Sequence, residues 1–253
     1  MRNIKLDISY DGTKYYGWQK QKDKKTVQET IEKAIFEITG KKIKLIGSGR
    51  TDRGVSAISQ VANFLDESKF DIEKYEKAIN SRLKKEYITI NKVEEVDLDF
   101  NSRFNAKEKT YIYIINNNKQ RGTITRDHEY YYPYSLDVNN MNKAIQEIVG
   151  EHNFKCFEAA GSKRDNTIRI IYDARVYKEK INNIFNNSER IIISVTGNGF
   201  LYNMMRIIAG TMLEVGRGNI KVKDIKTIIE KEDRKNSGKT LPPEGLILKE
   251  VKY

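Results

Sequence analysis

Hydrophobic spacing changes period in the same order twice along this chain, and that duplication limits the fold more than any single motif does. Residues 2–10 alternate, with Ile4, Leu6 and Ile8 on one face and Lys5, Asp7 and Ser9 on the other, as in a strand with one solvated side. Asp11-Gly12-Thr13 makes a turn. Thr26-Val27-Gln28-Glu29 has the form of a capping box, opening a helix with Ile31, Ala34, Ile35 and Ile38 on its apolar face and Gly40 as its stop. Strands are expected at 43–47 and near 58–65. A helix capped by Asp71 follows, with Ile72, Tyr75, Ala78, Ile79 and Leu83 inward, and then a strand over 86–96. The order is β-α-β-β-α-β.

After a polar stretch from Asp97 to Lys109 the order starts again. A strand is expected at 110–115, and Asp137 caps a helix carrying Val138, Met141, Ala144, Ile145 and Ile148 that ends at Gly150. Residues 167–179 and 189–196 read as a hairpin around Asn186-Asn187-Ser188. Helices from about Leu201 and from Val222 to Glu230, then a strand Leu246–Val251, complete the second half. With one helix added, it repeats the first. The expectation is an α+β fold of two tandem split β-α-β modules, RRM- or ferredoxin-like, spanning 1–105 and 106–253. Their mainly antiparallel sheets would flank a central cleft carrying the active site, a place suited to RNA.

Composition narrows the setting. Lys and Arg total 46 against 35 Asp and Glu, and the resulting charge of +11 favours polyanionic partners. One cysteine, Cys156, excludes an internal disulfide framework and fits a reducing cytoplasm. His128 and His152 give no metal-ligand spacing with it. The N-terminus runs directly into a strand, and no apolar run approaches the ~20 residues of a membrane span. A soluble cytoplasmic protein without a membrane partner is expected.

Three stretches carry chemistry. Gly47-Ser48-Gly49-Arg50-Thr51-Asp52-Arg53-Gly54-Val55-Ser56-Ala57 sets a carboxylate and two guanidiniums in a glycine-rich turn. Neighbouring cations should hold Asp52 ionised. The stretch is no P-loop, because Val55-Ser56 stands where Lys-Ser/Thr belongs, and G-x-G-x-x-G fails at Asp52. A surface turn with a capping Asp is the plainer alternative. Lys14 to Gln21 interleaves bases with Tyr15, Tyr16 and Trp18, which suits a nucleotide chain or a loop that tucks its rings beneath itself. Leu201 to Leu213 is apolar nearly all round, with Arg206 as its only charge and Gly197-Asn198-Gly199 ahead of it. Arg206 either snorkels to the helix edge or needs a carboxylate, and Asp52 in the other half is a chemically attractive partner.

G-R-T-D-x-G-V (Gly49 to Val55), Lys109-Thr110-Tyr111-Ile112-Tyr113, F-L-Y-N-M-M-R-x-I-x-G (Phe200 to Gly210) and G-L-x-L (Gly245 to Leu248) resemble, in that order, the tRNA pseudouridine synthase A (TruA) family. The resemblance runs in register from the first strand to the last. It implies isomerisation of uridine to pseudouridine in the anticodon stem-loop of tRNA, at positions 38, 39 and 40 in the typical bacterial member, with no metal or organic cofactor. The target uridine must first leave the stack.

By the same resemblance Asp52 is the catalytic carboxylate, either attacking carbon or removing the C2′ proton. Arg206 pairs with it and holds the base out, Tyr111 stacks on the uracil and takes the C5 proton, and Leu246 lines the other side of the base. Arg50 and Arg53 contact phosphates or buttress the turn, while Tyr113 packs in its strand. Ser56 departs from the pattern, since bacterial members usually carry His there. A homodimer whose subunits both touch tRNA is implied as well. The competing class is a non-catalytic RNA-binding protein with two RRM-like modules, but the chain lacks an RNP1-type run. A nucleotide hydrolase fails on the missing lysine and metal carboxylates.

Overall fold

The computed structural model describes residues 1–161, 166–183 and 186–253. The fold is mixed α+β with mainly antiparallel strand pairing, in two compact units: Met1–Lys107 with Ile247–Tyr253, and Glu108–Leu246. The first contains β1 (Arg2–Tyr10), α1 (Val27–Thr39), β2 (Ile46–Gly47), β3 (Ser56–Asp66), α2 (Ile72–Arg82) and β4 (Ile88–Val96). The second contains β5 (Glu108–Asn116), β6 (Tyr130–Tyr131), α3 (Val138–Gln146), β7 (Gly150–Asn153), β8 (Ile168–Asn183), β9 (Asn186–Gly197), α4 (Met204–Gly216) and α5 (Asp224–Glu230). β10 (Leu246–Lys252) ends the chain.

In the first unit β1 lies between β3 and β4, antiparallel to both, and β2 adds to β3 at Ile46↔Asn63. The alternation of β1 has the expected result: Ile4, Leu6 and Ile8 are fully buried, while Lys5 and Asp7 on the other face are half-exposed and bond across strands. Lys5 pairs with Glu94 at 3.1 Å, and Asp7 accepts from Ser59 Oγ at 2.6 Å. The last strand, which reads in sequence as the end of the second round, pairs in parallel with β3 at Ile247↔Ser56 and Leu248↔Ala57. Its partner begins immediately after the Asp52 turn. The polar stretch after Asp97 is anchored rather than loose. Asn3 donates to the Asp97 and Phe100 carbonyls, both at 2.9 Å, and the Asn63 side chain accepts from the buried Ser102 N–H at 2.9 Å.

Two local expectations change. Helix α1 starts where expected, but Thr26 makes no capping bond and its buried Oγ1 has no hydrogen-bond partner among the described residues. The Gly17 and Trp18 carbonyls accept from the Val27 and Gln28 N–H groups at 3.2 and 3.0 Å, so the loop before the helix takes its first two N–H groups. Glu29, the expected reciprocal partner, pairs with Lys20 at 3.2 Å instead. Second, Asn186-Asn187-Ser188 belong to β9, where their backbones pair with Asn183, Asn182 and Ile181. Residues 184–185, between the two strands, lie outside the described residues. Asp71, Asp137 and Gly40 cap as their sequence positions imply.

In the second unit the strand order is β5-β9-β8-β7, with β6 added in parallel to β5. α3 packs on β8, and α4 packs on α3 and β5. The segment between β5 and β6 is tied down by a buried ion pair that the sequence pattern did not reveal. Arg190 Nε meets Glu129 Oε2 at 2.5 Å, and Glu129 also accepts from Asn116 and Thr125 at 2.7 and 2.8 Å. With every carboxylate oxygen bonded, both charges are tolerated in the interior, whereas removing one partner would cost about 3–5 kcal/mol. No helix among the described residues is long and apolar enough to cross a membrane.

Candidate active site

The Asp52 turn is built by backbone packing. Asp52 O accepts from the Val55 N–H at 3.1 Å, and Gly54 sits at φ +82°, the left-handed position a type II turn reserves for glycine. The turn is clasped by the loop after β1. Trp18 N–H donates to Thr51 O at 3.1 Å, the Tyr10 hydroxyl bonds Thr51 Oγ1 at 2.8 Å, and Ser56 Oγ accepts from the Gly12 N–H at 3.0 Å. Contact is so close that a Cβ on Gly12 would lie 2.0 Å from Val55 O. Burial pushes the Tyr10 hydroxyl above the ordinary tyrosine range, so it stays a protonated partner of Thr51 at neutral pH. Asp52 is half-exposed on a frame whose neighbours Thr51 and Val55 are buried.

The stretch Lys14 to Gln21 divides between its two sequence readings. Tyr15 and Trp18 are buried; a Cβ on Gly47 would strike the Trp18 ring at 2.6 Å, so Trp18 walls the turn, while the Tyr15 hydroxyl donates to Glu86 at 2.9 Å. Tyr16 stays exposed, with the Arg53 guanidinium 4.3 Å from its ring centroid. Arg50 is exposed on the same turn. Ser56, where the resemblance leads one to look for His, is buried and spends its hydroxyl on the Gly12 turn.

The second unit holds Arg206 differently. α4 begins at Met204, three residues later than the sequence suggests, because Asn203 takes the left-handed conformation at φ +57° as its N-cap. The Asn203 side chain accepts from Arg206 NH1 at 2.7 Å, and Leu241 O accepts from Arg206 Nε at 2.6 Å. Leu241 returns its own N–H to Arg206 O at 3.2 Å. Every other α4 residue except Glu214 is buried, so the half-exposed guanidinium is fixed on an otherwise apolar helix.

The strap that carries Leu241 lies against the helix at Gly210, where a Cβ would come 1.9 Å from Lys239 O, and Gly238 N–H donates to Thr211 Oγ1 at 2.9 Å. Its next carbonyl, Pro242 O, accepts from the Tyr113 hydroxyl at 2.7 Å. Successive carbonyls of one strap thus hold Arg206 on α4 and Tyr113 on β5. Tyr113 is fully buried, which raises its hydroxyl above the usual range and keeps it a donor.

Tyr111, two residues earlier on the same face of β5, is 9% exposed and meets Phe200 edge-on at 4.9 Å between centroids. One tyrosine of the pair serves packing; the other lies at the margin of the buried face. Leu246, at the start of β10, is buried. Asn203, Tyr10 and the strap Gly238–Pro242 were not singled out from sequence. An Asn just before the arginine helix and the unexplained Gly238 and Pro242-Pro243 were the available signals. No three His, Cys, Asp or Glu side chains among the described residues gather to hold a metal ion.

A family model described as tRNA pseudouridine synthase matches residues 8–105 and 144–253. The chain is 51% identical to a tRNA pseudouridine synthase A of Caldicellulosiruptor bescii and 46% identical to one of Clostridium acetobutylicum, each over 253 residues covering all of both chains. A third, of Acetivibrio thermocellus, is 44% identical, again over the full length of both.

Proposed function

The chain belongs to the tRNA pseudouridine synthase family, and we propose that it isomerises uridine to pseudouridine in the anticodon stem-loop of tRNA, at positions 38, 39 and 40. The match to that family along both units carries the reading. In the reaction the C1′–N1 bond breaks and C1′ joins C5; the C5 proton leaves while N1 gains one, so no co-reactant is consumed. The enzyme must present an ionised oxygen at the sugar and a surface that keeps the detached uracil in place.

Asp52 is the carboxylate, acting either on carbon or on the C2′ proton, and both roles need an oxygen that does not wander. The clasp of Tyr10, Trp18 and Ser56 around its turn supports that role. Arg206 is the guanidinium that pairs with Asp52 and holds the base out. Its fixing by Asn203 and Leu241 favours a planar fork used directionally. Tyr111 is the stacking ring and the acceptor of the C5 proton, Leu246 the apolar wall, and Arg50 and Arg53 the phosphate contacts. On this reading the fold is two tandem RRM- or ferredoxin-like modules with mainly antiparallel sheets flanking a central active-site cleft, and the chemistry needs no metal or organic cofactor.

Tritium release from tRNA carrying 5-tritiated uridine tests the proposal, because rejoining through C5 must expel that hydrogen. Wild type should release it. Asp52→Ala should bind tRNA and lose about 10⁴-fold or more in rate. Tight tRNA binding without release by wild type would return the chain to the class of non-catalytic RNA-binding proteins. The reading also places a homodimer in the cytoplasm. A sedimentation mass near the monomer's 29.4 kDa would overturn the dimer.

A further inference from the structure

We infer that Tyr16, Lys24 and Arg53 form a phosphate-binding rim beside Asp52, in which the tyrosine ring positions two cations to grip the backbone of the substrate RNA. The inference rests on the reading of the chain as an enzyme acting on tRNA. The Arg53 guanidinium lies 4.3 Å and the Lys24 ammonium 4.7 Å from the Tyr16 ring centroid. Arg53 is the residue after Asp52, on the same turn.

The arrangement is built rather than incidental. Gln21 and Lys24 form a β-bridge around Lys22-Asp23, with Asp23 in the left-handed conformation at φ +58°, a tight hairpin that aims Lys24. Tyr16 is tied to this hairpin on both sides of its own backbone: its N–H donates to Lys25 O at 2.9 Å, and its carbonyl accepts from Gln21 Nε2 at 3.0 Å. Two of the neighbouring lysines are neutralised. Lys25 pairs with Glu86 at 2.5 Å and Lys20 with Glu29 at 3.2 Å.

Lys24 and Arg53 have no carboxylate within 4.0 Å among the described residues. The ring neutralises neither cation, and a phosphate drawn to this rim would supply the anion that both lack. The ring itself is engaged by cations, which argues for phosphate binding over stacking of a base on Tyr16.

The test measures the affinity of a synthetic anticodon stem-loop RNA by fluorescence anisotropy across a salt series. Arg53→Gln and Lys24→Gln should each weaken binding several-fold and lower the log–log salt slope by about 0.7–0.9, one phosphate contact each. Tyr16→Phe, which keeps the ring face, should bind as wild type. Tyr16→Ala should weaken binding and flatten the slope, and adding it to the Arg53→Gln/Lys24→Gln double variant should bring less than a further twofold loss, because the ring acts through the cations. Wild-type affinity and slope in Tyr16→Ala would overturn the inference. So would weaker binding with an unchanged slope, the mark of a base stacked on the ring. Tritium release by wild type in the same preparation judges the reaction separately: its absence would sink the isomerase reading whatever the slopes show.

Discussion

The two units present their charged groups by opposite means. Asp52 is a short side chain on a turn, and its position is set by backbone: the Val55 bond to its carbonyl, the left-handed Gly54 and the clasp on Thr51. Arg206 is a long side chain on a rigid helix, and its position is set by acceptors for the guanidinium itself, Asn203 Oδ1 and Leu241 O. A carboxylate with one carbon between it and the backbone is aimed by φ and ψ. A guanidinium on a three-carbon stem keeps its rotamer freedom unless its N–H groups are engaged. Mutations should therefore damage the first group through the frame around it and the second through its hydrogen-bond acceptors.

The largest effect that distinguishes them is expected at Arg206 itself. Arg206→Lys keeps the charge but loses the fork seated by Asn203 and Leu241, and turnover should fall about 10²-fold with tRNA affinity changed far less. Activity close to wild type would show that the charge suffices and that the fixed fork has no role in turnover. Gly210→Ala comes next. Its Cβ must displace the Lys239 backbone, so the strap moves with the Leu241 and Pro242 carbonyls, and stability should fall by about 2 kcal/mol, read as a drop of about 6 °C in the apparent melting temperature. A melting temperature equal to wild type would mean the strap is not the rigid element described.

Tyr10→Phe removes the hydroxyl from Thr51 without emptying the core, and should cost about 1 kcal/mol with a several-fold loss of turnover. A pure stability loss with normal turnover would separate the frame from the aim of Asp52. Ser56→Ala is the mildest. It leaves the Gly12 N–H without its side-chain acceptor, and about 1 kcal/mol of stability should be lost with turnover within about twofold of wild type. A severe loss of activity would move Ser56 from supporting the turn into the chemistry.

Much of this was legible in the chain. Alternation in β1, the Asp71 and Asp137 caps, the Gly40 stop and the apolar character of α4 each follow from local rules, and the structure carries them out. The capping box does not form, since Thr26 makes no capping bond and Glu29 pairs with Lys20; the Gly17 and Trp18 carbonyls take the first two N–H groups of the helix, contacts between a loop and a helix that sequence spacing does not encode. Asn186-Asn187-Ser188 do not form the expected turn for a related reason. Asn and Ser tolerate turns, but the register of β8 on β9 carries the pairing through Asn186 to Ser188.

By itself the sequence determined which groups could do chemistry, since a carboxylate in a glycine turn and an arginine alone in an apolar helix are properties of residue type and order. Tertiary structure decided how they are held. Thr51 meets Tyr10 across 41 positions, and Arg206 meets Leu241 across 35. Pairings so distant in the chain form only when packing brings their elements together, and no local propensity announces them. Tertiary packing also gave Tyr111 and Tyr113, identical residues on one strand face, different surroundings: the strap takes the Tyr113 hydroxyl and buries its ring, while Tyr111 stays at the margin against Phe200.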